Sequence, residues 1–195
     1  MDPFPGERLE VLIKAEDIAH GVAELGRQIT EDYRGRPLLL VGILKGSFIF
    51  LADLVRHIDL PLAVDFMALS SYGASTESSG VVRIIKDLEH SIEGRDVLIV
   101  EDIVDTGLTL NYLYGHLQAR GAASVRICTL LDKRERRRVE VPVHYRAFVI
   151  PDTFAVGYGL DVDERYRNLP DVCRLIREPG GPADAAGPRQ KEPAS

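Results

Sequence analysis

One run near the middle of this 195-residue chain constrains it most: Val97-Leu-Ile-Val-Glu101-Asp102-Ile-Val-Asp105-Thr106-Gly107-Leu108-Thr109-Leu. Four consecutive apolar residues with no polar alternation read as a strand buried on both faces, as in parallel sheets. That strand ends in two adjacent carboxylates, followed by a loop with one glycine that opens a helix. Backbone N–H groups of residues 106–109, with both threonine hydroxyls, lie where the positive end of a helix dipole holds a phosphate. Gly107 lets the backbone come close. Glu101 and Asp102 cannot both point inward from one strand, so at least one reaches the loop side, where paired carboxylates suit magnesium, ribose hydroxyls or both. The plain alternative is a helix capped by Asp105 or Thr106, with the acidic pair merely solvated.

The same grammar recurs along the chain. In residues 15–32, Ile18, Val22, Leu25 and Ile29 follow three- and four-residue steps, which predicts an amphipathic helix. Residues 37–44 form another buried strand, followed by a Lys-Gly-Ser turn and a helical pattern over 48–58. Strands are expected at 96–100, 124–131 and 147–150, and a helix at 109–119. Strand, loop, helix, strand is the signature of an α/β fold, a doubly wound and mostly parallel sheet that binds ligands beyond the carboxyl ends of its strands. The polar stretch over residues 70–80 reads as a mobile hairpin or flap. The Pro-, Gly- and Ala-rich residues 178–195 read as a disordered tail.

Bulk properties bound the rest. Hydrophobic residues make up 45% of the chain, enough for one core, so residues 1–177 are expected to form a single domain. The net charge of -6 disfavours nucleic acid. The only cysteines, Cys128 and Cys173, have no CxxC spacing, which fits a reducing cytoplasm. The acidic, proline-broken N-terminus lacks the form of a signal peptide, and no stretch approaches the roughly 18 apolar residues of a membrane span.

The central run resembles the phosphoribosyl pyrophosphate motif of the type I phosphoribosyltransferases: apolar strand, acidic pair, two apolar residues, Asp-Thr-Gly, one residue, Thr. The similarity covers most of the chain, from about Leu38 to Cys173, and is nearest to the hypoxanthine-guanine phosphoribosyltransferases. It implies the type I phosphoribosyltransferase fold with a small hood and a flexible flap. Leu44-Lys45-Gly46-Ser47 resembles the family's loop whose backbone N–H groups grip the leaving diphosphate, often beside a non-proline cis peptide. Ser70-Ser71-Tyr72-Gly73 resembles the start of the flap, which places Ser71 and Tyr72 over the site. Leu130-Leu131-Asp132-Lys133-Arg134 resembles the strand end whose lysine donates a hydrogen bond to the C6 oxygen of the purine.

Finally, Ile150-Pro-Asp-Thr-Phe154-Ala155-Val156-Gly157-Tyr158-Gly159-Leu160-Asp161, followed by Arg167, resembles the family's purine-binding end. There Phe154 stacks on the base, the backbone at Ala155 reads its edge, Asp161 holds a second magnesium through water, and Arg167 meets diphosphate. In the central run, the resemblance assigns Glu101 and Asp102 to ribose and magnesium, and Asp105, Thr106, Gly107, Leu108 and Thr109 to the 5'-phosphate. Asp105 is also the implied general base. Leu108 stands where some members have lysine, and Ala155 where others have valine; neither position supplies side-chain chemistry.

The implied reaction moves a 5-phosphoribosyl group from phosphoribosyl pyrophosphate to hypoxanthine or guanine, giving IMP or GMP, with Mg2+ as cofactor. The implied setting is a cytoplasmic homodimer or homotetramer that binds neither nucleic acid nor membrane. A lysine donates and cannot accept, so Lys133 favours a 6-oxo purine over adenine. One rival is a regulatory protein that keeps the fold and has lost catalysis. It predicts erosion at the diphosphate loop, the base aspartate or the purine clamp, and none is visible. An enzyme for orotate, uracil or adenine is disfavoured by Lys133 and the run 154–161. A dinucleotide enzyme is weaker still, because no GxGxxG follows any strand.

Overall fold

The computed structural model describes residues 4–71 and 82–177, the side chain of Ser71 excepted. Tyr72, most of the expected flap and the tail 178–195 lie outside the described residues. In chain order the elements are β1 (Glu7–Ile13), α1 (Ala15–Asp32), β2 (Leu38–Leu44), α2 (Phe48–Leu54), β3 (Leu62–Ser71), β4 (Val82–Lys86) and β5 (Asp96–Val104). They continue with α3 (Leu108–Ala119), β6 (Ser124–Asp132), β7 (Tyr145–Val149), β8 (Ala155–Val156) and β9 (Val172–Arg177).

The central sheet has the order β4-β3-β2-β5-β6-β7 and is parallel except for β4, which runs antiparallel to β3. Alternate residues of its strands enter two different cores. Leu38, Leu40, Leu98, Val100, Cys128 and Leu130 meet α1 and α2 through residues such as Val22, Ile29, Phe50 and Leu54. Leu39, Val41, Ile43, Val97, Ile99 and Ile127 meet Leu110, Leu113 and Leu117 of α3. Both faces are covered, and this is why the strand sequences run apolar without alternation.

The helix expected at 15–32 is found with those ends. The one expected over 48–58 stops at Leu54 and tightens into a 3-10 turn at Val55–His57. β5 runs to Val104 instead of ending at 100, because β6 continues beside it: Ile103 pairs with Leu131 and Val104 with Asp132. The acidic pair therefore lies inside the strand and not at its end.

A second sheet, β1-β9-β8, is antiparallel and joins the two ends of the described chain into a hood. It docks through Tyr158, whose hydroxyl donates to Asp53 at 2.6 Å, and through Gly159, where a Cβ would lie 2.1 Å from the carbonyl oxygen of Gly46. Cys128 and Cys173 are both free and buried. Among the described residues, no helix is long and apolar enough to cross a membrane.

Candidate active site

The carboxyl ends of β2 and β5 open onto a cavity of about 290 Å3 lined by Gly46, residues 101–107 and Thr109. The loop from β5 turns at Gly107, which has φ +82° and no room for a side chain: a Cβ would lie 2.6 Å from the carbonyl oxygen of Val139. α3 starts with no side-chain cap, so the first-turn N–H groups face the cavity side without the usual acceptor. The Thr106 carbonyl accepts from the backbone of Arg138 and Val139 at 2.9 and 3.3 Å, and the Leu108 N–H reaches the Thr106 hydroxyl at 3.5 Å. The result is a braced loop beside an anion-sized space, lined by Thr106, Gly107 and Thr109 but not by Leu108.

Across the cavity, the Leu44–Lys45 peptide is cis. Gly46 is pressed against the acidic pair, since a Cβ there would come 1.7 Å from Oδ2 of Asp102. Glu101 and Asp102 both line the cavity. Burial, and next the charge of Asp102, pushes the Glu101 carboxyl well above its ordinary value; burial also raises Asp102. Two adjacent carboxylates are hard oxygen donors of the kind that suits a divalent ion such as magnesium. Among the described residues no group of three or more His, Cys, Asp or Glu gathers into a metal cage.

Asp105 lies between two cations. Lys133, on the bend after β6, is only 6% exposed, and its Nζ stands 3.9 Å from Asp105 Oδ2. Its backbone N–H is tied to the Val104 carbonyl at 3.0 Å, which fixes the two strand ends together. Arg136 Nε lies 3.1 Å from Asp105 Oδ1, and its Nη1 lies 3.5 Å from Asp152. Arg136 belongs to the basic run Lys133-Arg-Glu-Arg-Arg-Arg138, where nothing in the sequence sets it apart; the turn at Arg134–Arg136 carries it back to Asp105. Asp105 Oδ1 nevertheless lacks an aligned hydrogen-bond partner, as does the buried Nε of Arg167. Such buried, unsatisfied atoms call for a missing partner.

The hood supplies the remaining side. Arg167 donates to the Gly159 carbonyl at 2.7 Å and pairs with Asp161 at 2.8 Å and Glu164 at 3.2 Å. Lys45 reaches the same Glu164 at 3.0 Å. Lys45 and Arg167 together hold the Glu164 carboxyl below its usual value. Both oxygens of Asp161 are engaged, one by Arg167 and one by the Glu164 N–H at 2.8 Å. Glu164 sits in the acidic run Asp161-Val-Asp163-Glu164, where no local sequence pattern marks it as part of a site. Ala155 is buried in β8, whereas the Phe154 ring is 54% exposed beside it. Phe154, Ala155, Lys133, Asp161, Lys45 and Arg167 do not line the cavity. Tyr72 lies outside the described residues, as does the side chain of Ser71.

Comparison with known proteins agrees with this geometry. Residues 12–163 match the family model described as the phosphoribosyl transferase domain. A hypoxanthine-guanine phosphoribosyltransferase of Mycobacterium avium is 55% identical over 178 residues, 88% of each chain. One from Bacillus subtilis (strain 168) is 53% identical over 163 residues, 84% of this chain and 91% of the other. A crystal structure of a hypoxanthine phosphoribosyltransferase from Staphylococcus aureus superimposes with a TM-score of 0.83 at 53% identity, covering 86% of this chain and 91% of that one. A glycine-turned loop after β5, a cis peptide after β2, a buried lysine after β6 and relatives more than half identical across most of their length all agree: the chain belongs to the phosphoribosyl transferase family, among its hypoxanthine-guanine members.

Proposed function

We propose that this protein transfers the 5-phosphoribosyl group of phosphoribosyl pyrophosphate to hypoxanthine or guanine, with Mg2+, in the cytoplasm and as a homodimer or homotetramer. The observation that carries the reading is the convergence of Asp105 and Lys133 beside the amide cradle of residues 106–109, a carboxylate next to a buried ammonium with a phosphate site between strand and helix. The names of the relatives support the same substrates.

Cleaving the bond from ribose C1 to diphosphate leaves positive charge on the sugar and negative charge on the leaving group. The cradle at residues 106–109 fixes the 5'-phosphate, so the sugar is held in one place while the two bonds change. Lys45, the Gly46 backbone and Arg167 face the leaving group with charges and dipoles already oriented. Glu101 and Asp102 would hold Mg2+ beside the ribose hydroxyls, with Asp161 holding a second ion through water. When bound, Mg2+ supplies neutralisation of the diphosphate oxygens. Asp105 receives the proton that the attacking purine nitrogen loses, and attack itself acidifies that proton, which narrows the mismatch with a carboxylate base. Lys133 donates to the purine C6 oxygen and leaves the amino group of adenine unpartnered. Phe154 offers its exposed ring face to the base.

An ultraviolet assay with phosphoribosyl pyrophosphate and Mg2+, offering hypoxanthine, guanine, xanthine and adenine separately, tests this. Nucleotide and diphosphate should form with hypoxanthine or guanine and not with adenine. Binding of the ribose diphosphate without turnover on any base would instead support a regulatory protein on the same fold.

A further inference from the structure

Lys45 follows β2 and Glu164 lies 119 residues later, yet the lysine Nζ donates to Glu164 Oε1 at 3.0 Å. The other carboxylate oxygen, Oε2, accepts from Arg167 Nη2 at 3.2 Å. One glutamate therefore holds, with its two oxygens, the two side-chain cations assigned above to diphosphate. The turn that delivers it is bent for the purpose: Asp163, Glu164 and Tyr166 have φ of +50°, +63° and +73°. A left-handed conformation is costly for a residue with a side chain, and such strain gathers at functional sites. The Lys45 pair does little for stability, because Lys45 and Glu164 are 65% and 57% exposed and exposed ion pairs contribute little; Arg167 is less exposed and is shared with Asp161 at 2.8 Å. A strained turn that places a solvent-facing anion between two ligand-binding cations calls for a functional account.

We propose that Glu164 is the resident counter-anion of the diphosphate subsite: a positioning residue that keeps Lys45 and Arg167 converged between turnovers and competes with diphosphate for them. The inference rests on the assignment of those two cations to diphosphate. A multiply charged diphosphate displaces the single carboxylate, breaking both ion pairs as it enters. After the ribosyl bond has broken, the carboxylate retakes its partners and hastens departure of the product. Glu164 forms no bond to the substrate and moves no proton; it sets how tightly the leaving group is held.

The experiment is steady-state kinetics of Glu164→Gln and Glu164→Ala at fixed Mg2+: phosphoribosyl pyrophosphate is varied at saturating hypoxanthine with added diphosphate as product inhibitor, and hypoxanthine is varied at saturating phosphoribosyl pyrophosphate. Both variants should bind diphosphate about two- to fivefold more tightly, the range expected for relieving the exposed Lys45 pair, because the less exposed Arg167 remains held by Asp161. The KM for phosphoribosyl pyrophosphate should fall in parallel, kcat should fall where product release limits, and the KM for hypoxanthine should stay put. Unchanged or weaker diphosphate inhibition in folded variants overturns the proposal. Lys45→Ala separates the two layers. If it weakens diphosphate inhibition while Glu164→Gln has no effect, the counter-anion role alone fails. If Lys45→Ala leaves inhibition untouched, the diphosphate assignment fails, and the proposal with it.

Discussion

Gly46 and Asp102 are packed so closely that a single methyl group does not fit between them: a Cβ on Gly46 would lie 1.7 Å from Asp102 Oδ2. The loop after β2 and the acidic pair on β5 are therefore in direct contact, with no room for a side chain between them. Gly46→Ala must push them apart, and a misplacement of about 1 Å near reacting groups costs on the order of 10²-fold. We expect kcat/KM for phosphoribosyl pyrophosphate to drop by about that factor, measured beside a melting curve showing that the variant still folds. Near-normal kinetics would mean the two parts are not coupled.

Asp105→Asn keeps the size of the side chain and removes its capacity to take a proton. General-base contributions run from about 10²- to 10⁴-fold, and a carboxylate facing a proton acidified by attack belongs at the low end. Turnover should fall by about 10²-fold with phosphoribosyl pyrophosphate binding largely intact. Loss of that binding in a folded variant would reassign Asp105 to the ribose site.

Lys133→Met retains the buried aliphatic stem and deletes the ammonium. A hydrogen bond to a charged group contributes about 1.5–3 kcal/mol, so kcat/KM for hypoxanthine should fall by about 10- to 150-fold. The preference for 6-oxo purines over adenine should shrink with it. A competition assay with both bases reads this directly, and an unaltered preference would remove Lys133 from base selection.

The acidic pair gives a pH dependence of definite sign. Burial raises Glu101 and Asp102 above their ordinary values of 4.5 and 3.8. Across the interval above those values the folded state binds more protons than the unfolded one, so stability falls as pH rises through it. Without Mg2+, the melting temperature should decline from about pH 5 upward through the raised range, and Asp102→Asn should flatten that decline. Added Mg2+ should raise the melting temperature more at about pH 8 than at about pH 5, because a protonated carboxyl is a poor ligand. Equal Mg2+ shifts at both would argue against a metal role for the pair.

Much of the frame was legible where periodicity is strong. Ile18, Val22, Leu25 and Ile29 mark one side of α1, and they are buried on that side. The β5 run announced a strand because both faces of a parallel sheet are covered. Its true end, Val104, was hidden because pairing of Ile103 with Leu131 is a tertiary fact. The hood strands were not read at all: in β1, Glu7-Arg-Leu-Glu-Val-Leu-Ile, charged residues interrupt the apolar ones, and the partner strand β9 begins only at Val172. In the site, Asp105 and Lys133 stood out only through family resemblance. Arg136 and Glu164 escaped because each looks like a surface charge until the fold brings a partner from far along the chain.

The pairing of β1 with β9 also sets a timetable for synthesis. Every strand of the central sheet and the loop at residues 106–109 is complete once β7 has been made. β8 and the Arg167 turn wait for Val172–Arg177, the last described strand, to cross back to residues 7–13. Domains fold as the chain emerges from the ribosome. A nascent or prematurely ended chain that stops after β7 thus holds the loop at residues 106–109 and Lys133 without the hood, and the side that carries Ala155, Asp161 and Arg167 is assembled last.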